Sequence, residues 1–257
     1  MRLAEYALRE GHLAIITMKR SDKKNALNED LFADLNAAWT EFKNDEEAWI
    51  GIITGEGDVF SAGADMSMIK KSMEGGDFWN WYFDNMWTDP FLNGSVGKPT
   101  IAAINGSAFG GGFDLALQAD FRISVEDAVF RMPEADFGGV VVMWENVPHA
   151  ISMEINCGCP LTAKRLYELG IFNRIVPKGE ALNEAIKLAE YLLTKPPLAI
   201  RKNTQIVKYL YDAQAPMSRY ALTDYCTQSG NKLKNTEDFQ IAVQAFLRKS
   251  PAQFKAK

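Results

Sequence analysis

Residues 101–120 read IAAINGSAFGGGFDLALQAD. With Thr100 in front, Thr100 to Ile104 is an apolar run behind Pro99, of the length of a buried strand. It ends at Asn105-Gly106, and Gly110-Gly111-Gly112 opens a helix near Phe113. Glycines there let a ligand approach the backbone. The unpaired N–H groups of a helix start favour negative charge. GxGxxG spacing is absent and no GK[ST] follows, so the segment is neither a dinucleotide fingerprint nor a P-loop. Taken alone, it reads equally well as a tight-packing turn.

Outward from it, FSAGAD at 60–65 is a second turn with exposed N–H groups. Two backbone N–H groups from separate loops are what an oxyanion hole needs. Downstream, Met132-Pro133-Glu134-Ala135 sets a carboxylate beside a rigid proline turn. The runs His12–Met18, Trp49–Thr54, Phe121–Val125 and Ala128–Arg131 read as further strands. Asn28 is a candidate helix cap, followed by Leu31, Phe32, Leu35, Ala38, Trp39 and Phe42 at helical spacing. From Thr162 the chain turns helical, at 162–170 and 179–195, with Pro196-Pro197 ending the second stretch. Amphipathic segments at 200–211 and 237–248 finish it. Strands alternating with helices predict an α/β domain with a largely parallel sheet and a helical tail.

The 257 residues are 47% hydrophobic and 24% charged, an ordinary globular composition. Lys plus Arg is 28 against 33 Asp plus Glu, a net charge of −5 that argues against a nucleic-acid partner. Three cysteines, Cys157, Cys159 and Cys226, are an odd number that argues for a reducing compartment. Cys157 and Cys159 form a CxC pair without a second pair, read as small buried residues rather than a metal or redox site. Only His12 and His149 could serve a triad, and no GxSxG elbow is present. The N-terminus lacks signal-peptide features, and no apolar run reaches ~18 residues. The expectations are no membrane span and a cytoplasmic location.

The pieces KKNALN (23–28), FSAGADM (60–66), KPTIAAINGSAFGGGFDLALQADFRIS (98–124), VFRMPEADFG (129–138), LTAKRLYELGIFNRIVP (161–177) and AFLRKSPAQF (245–254) follow one another in a known order. Over nearly its whole length the chain resembles the crotonase (enoyl-CoA hydratase/isomerase) superfamily. The resemblance implies an α/β fold, the crotonase-like ββα spiral, over 1–195. It implies a C-terminal helical trimerisation region over 196–257, and a homotrimer or hexamer. The implied substrate is an acyl-CoA thioester, with coenzyme A as part of the substrate and no permanently bound cofactor or metal. Hydratase/dehydratase chemistry leads. An isomerase, a C–C hydrolase or decarboxylase, and a non-catalytic acyl-CoA-binding protein stay open.

By the resemblance, the N–H groups of Ala62 and Gly111 form the oxyanion hole, and Asp114 and Glu134 are the acid/base carboxylates. Asp114 stands where a glutamate is usual, so its reach is shorter by one methylene. Lys24 and Ala26 match the loop that grips the pantetheine and phosphates. Ala64 and Asp65, with Met66 beside them, border the adenine and substrate region. Phe246 and Lys249 match a tail that reaches the nucleotide. The segment after Glu134, DFGGVVVMWENVPHAISMEINCG, replaces an expected glycine-rich loop and is shorter. Glu145 and His149 are candidate substitute acids or bases within it. Between Phe78 and Phe91, seven aromatic residues, Trp87 among them, match the region over the acyl chain. They give the expectation of a cyclic or aromatic acyl group, with core packing as the equal alternative.

Overall fold

The computed structural model of the chain describes residues 2–73, 89–92, 94–137, 149–211, 232, 235–248 and 250–257. Within these, the side chains of 69, 71–73, 137, 149, 209–211, 246 and 247 are not described. Strand β1 (Ala4–Arg9) pairs antiparallel with β2 (Leu13–Met18). From β2 the large sheet continues in parallel through β3 (Ile50–Gly55), β5 (Thr100–Ile104), β7 (Phe121–Val125) and β10 (Arg174–Val176). A smaller sheet holds β4 (Val59–Ser61), β6 (Ser107–Phe109) and β8 (Val129–Arg131) in parallel, with β9 (Leu161–Thr162) antiparallel to β8.

The two sheets grow together. Each pass of the chain lays one strand in the large sheet and the next in the small one: β3 then β4, β5 then β6, β7 then β8. Two of these passes end in a helix, α2 (Met66–Met73) and α3 (Gly111–Leu117), and the last in a 3-10 turn, Pro133–Phe137. This is a ββα spiral. Strands β3 and β5 are buried along their whole length, which is why they read as unbroken apolar runs.

Helix α1 (Glu29–Asn44) begins where Asn28 caps it, its side-chain oxygen accepting from Leu31 N–H at 3.0 Å. All six apolar residues at helical spacing on it are buried. At its other end Lys98 is buried, and its ammonium donates to the carbonyls of Phe42 and Asp45 at 2.6 Å each. A cation there satisfies carbonyls that the helix leaves open.

The remaining helices are α4 (His149–Asn156), α5 (Ala163–Glu168), α6 (Ala181–Leu193), α7 (Pro197–Tyr211) and α8 (Glu237–Arg248). Pro196 falls between α6 and α7, and Pro197 is the first residue of α7, where a missing N–H costs nothing. Several sequence expectations change: β4, β6, β9 and β10 fall in stretches read as turns or as part of the helical half. Strand β1 was not foreseen, because AEYALR is built of good helix formers and only its pairing with β2 makes it extended. Cys157 and Cys159 are exposed rather than buried, on either side of Gly158, whose φ of +76° turns the chain after α4.

Candidate active site

Two loops, around 20–27 and 61–67, lie side by side. Ala62 N–H donates to Lys24 O at 2.9 Å, Leu27 N–H to Gly63 O at 2.8 Å, and Asp65 N–H to Leu27 O at 2.9 Å. Leu27 thus bonds the residues on both sides of Ala64, with which it forms a parallel bridge. The N–H of Ala64 therefore points away from Leu27, and it has no hydrogen-bond partner among the described residues.

Side chains lock the same loops. Arg20 Nη1 donates to Ala26 O at 2.8 Å and to Asp65 Oδ2 at 2.6 Å. Asp65 Oδ1 accepts from the N–H and the hydroxyl of Ser67 at 2.9 and 2.7 Å, which starts α2. Burial alone would raise the Asp65 carboxyl, but Ser67 and the Arg20 guanidinium outweigh it and bring it down to about 2. Asn25 is fully buried, and its amide donates to the carbonyls of Glu56 and Val59 at 2.9 Å each.

The glycine-rich turn meets this pair of loops. Gly63, at φ +83°, lies so near the Phe109 carbonyl that a Cβ would collide with it. Gly110, at φ +48°, holds β6 to β8 through its N–H to Arg131 O at 2.9 Å. A Cβ on Gly110 would stand 2.7 Å from Glu134 Oε1, so the carboxyl lies directly against that glycine. Gly111 opens α3 with an N–H that has no acceptor within the helix. Glu134 Oε2 is buried with no hydrogen-bond partner among the described residues. Burial pushes the Glu134 carboxyl above its usual range, against the pull of its own backbone N–H. Asp114 lies three residues beyond Gly111 and is 5% exposed.

Ala64, Gly111 and Glu134 are thus brought to one place by Gly63 against Phe109 and by Gly110 against Glu134, with Asp114 in the first turn of the helix. The oxyanion role that the resemblance gave to Ala62 needs correction. Its N–H is engaged by Lys24 O, and the open donor of that loop is Ala64. Asp65 likewise has both carboxylate oxygens engaged within the loops, leaving a structural role for its side chain. Lys24 and Met66 are exposed and Ala26 is half-buried. Phe246 lies on α8 and His149 starts α4, and neither side chain is described. Trp87, Glu145 and Lys249 lie outside the described residues, as do all but one of the seven aromatics. That one, Phe91, stacks on Trp39 in the core at 4.1 Å between ring centroids. No group of His, Cys, Asp or Glu among the described residues has the arrangement of a metal site.

Sequence reasoning missed Arg20 and Asn25. Both fall in a charged stretch that reads as surface loop, and Arg20 meets Asp65 from 45 residues away. The positive φ of Asn25, +52°, is the one local trait its residue type could have suggested.

Comparison with known proteins gives the family. The family model for enoyl-CoA hydratase/isomerase matches residues 9–257. A carnitinyl-CoA dehydratase of Salmonella enteritidis is 34% identical over 264 aligned residues, covering 97% of each chain. An enoyl-CoA hydratase of Mycobacterium tuberculosis is 29% identical, covering 96% of this chain and 94% of its own. The crystal structure of an enoyl-CoA hydratase from Polaromonas superposes with a TM-score of 0.88 at 25% identity, covering 98% of this chain and 99% of that one. This chain belongs to the enoyl-CoA hydratase/isomerase family.

Proposed function

We propose that the chain is an acyl-CoA lyase that adds water to, or removes it from, an α,β-unsaturated thioester. The observation that carries this reading is the pair of open N–H groups, Ala64 and Gly111, set against a buried carboxyl, Glu134. The thioester oxygen accepts from both N–H groups. As water attacks the β-carbon, negative charge moves onto that oxygen, and fixed donors stabilise it without reorganising. The N-terminus of α3 adds a favourable dipole.

Asp114 takes a proton from the attacking water. Glu134, held protonated to higher pH by its burial, gives one to the α-carbon. The product is a β-hydroxyacyl thioester, and the reverse sequence expels water. The hydratase and the dehydratase among the relatives are named for these two directions. Lys24, Ala26 and Met66 are assigned to the coenzyme A side of the cleft, and Phe246, Lys249 and Trp87 to the tail and acyl contacts. An exposed lysine suits a phosphate, since a point charge suffices. No described helix is long and apolar enough to cross a membrane. A cytoplasmic location fits the odd cysteine count.

The test is a panel of enoyl-CoA thioesters followed by loss of the conjugated absorbance. Turnover of at least one is expected. Tight coenzyme A binding with no turnover of any thioester would make the chain a binding protein instead.

A further inference from the structure

Asp89 is a buried carboxylate that the reaction above does not use. It is only 3% exposed. Its Oδ1 accepts from the N–H groups of Phe91 and Leu92 at 2.8 and 3.1 Å, closing the turn before Val96 and the strand β5. Its other oxygen, Oδ2, has no hydrogen-bond partner among the described residues. The turn explains one oxygen but not the charge, because Asn or Ser caps a turn as well as Asp does without burying an ion. Burial pushes this carboxyl up to about 6 even against its two N–H bonds.

Asp89 also lines a cavity. Leu27, Phe32, Leu92 and Leu115 supply apolar walls, and Gly111 borders it too. About 10 Å³ is open to the centre of a water-sized group, room for one such group. The cavity borders one donor of the oxyanion site, Gly111, and lies one residue from the other, since its wall residue Leu27 is bridged to Ala64. An acyl chain whose carbonyl rests on those donors has this cavity within short reach.

We propose that Asp89 is the specificity-determining group at the closed end of the acyl pocket, accepting a hydrogen bond from a hydroxyl carried by a short acyl chain. The inference rests on the acyl-CoA reading above and deepens it. A hydroxyl matches the space of one heavy atom and the missing donor together. A methyl group in its place offers that carboxylate oxygen no donor, and a terminal carboxylate is repelled. A ring exceeds the room available.

The experiment uses pairs of equal size. Dissociation constants of 4-hydroxybutyryl-CoA and valeryl-CoA are measured by calorimetry, and kcat/KM for 4-hydroxybut-2-enoyl-CoA and pent-2-enoyl-CoA by absorbance. The expected result is a preference for the hydroxyl member of roughly ten-fold or more in both measurements. Asp89→Asn keeps acceptors for Phe91 and Leu92 and should shrink that ratio; Asp89→Leu should invert it. Equal affinity for the two members in the unaltered protein overturns the proposal, whether or not the variants fold. So does a ratio that survives both substitutions while the individual constants fall, the signature of a turn cap alone. Turnover without hydroxyl preference removes this inference and leaves the catalytic reading standing. Hydroxyl preference in binding with no turnover does the reverse.

Discussion

Glu134 combines a rigid proline turn, a glycine against its carboxyl, and an oxygen with no partner among the described residues. Glu134→Gln keeps the shape and removes the transferable proton, so kcat should fall roughly 10²–10⁴-fold. Binding of coenzyme A, read by calorimetry, should hardly change. Because burial raises this carboxyl, the protonated form survives above the ordinary carboxylate range. The limb on which kcat/KM for hydration falls with rising pH should therefore have its midpoint above that range, and Glu134→Gln should lose the limb. At Asp114, Asn should leave almost no activity. Glu should also impair it, since an added methylene misplaces the carboxylate in a packed position. An Asp114→Glu enzyme indistinguishable from the parent, together with an active Asp114→Asn, would reduce Asp114 to a first-turn acid favoured by the helix dipole.

The elements that matter most are the two loops tied by Arg20 and Asp65, and the turn at Gly110. The Asp65 carboxyl sits at about 2 in the folded chain, against about 3.9 for a free aspartate. A lowered carboxyl stabilises the fold fully above the unfolded value and loses that contribution as pH falls from about 4 to about 2. Asp65→Asn should flatten the fall of Tm across that window and, near neutrality, cost about 1–3 kcal/mol by leaving Arg20 unmatched. Gly110→Ala meets a left-handed φ and the Glu134 carboxyl together. It should lower kcat at least ~10-fold by displacing that carboxyl, even where the protein stays folded. The large-sheet strands and α1 were legible, whereas β4 and β6, which lead directly into the loops, read as turns. Apolar runs marked β3 and β5, and Asn28 with six spaced apolar residues marked α1.

At the scale of the whole molecule, the helices past residue 196 show large apolar groups to solvent in a single chain. Val207 on α7 is 52% exposed, and Phe239 and Val243, one turn apart on α8, are 39% and 38% exposed. We propose that this region, 196–257, mediates assembly of a trimer or hexamer. Sedimentation should show no stable monomer. A well-folded monomer at micromolar concentration would refute the assembly and leave the site chemistry of the core intact.

By itself the sequence determined the alternation of apolar runs and helical periods, the glycine-rich start of α3, and an acid, Glu134, behind a proline. Each of these rests on neighbours within a few positions: the period of apolar residues, a cap three residues from its N–H, a proline before an acid. The roles of Asp114 and Glu134 came from the resemblance. Tertiary structure alone decided which N–H of FSAGAD stays open, because that depends on Leu27 bonding the residues on both sides of Ala64. It alone made AEYALR a strand, through its pairing with β2. The same holds for Arg20 with Asp65, Lys98 with the end of α1, and Asp89 with its cavity. These partners lie tens of residues apart, and a charged residue in a loop reads as solvated until the fold shows what buries it.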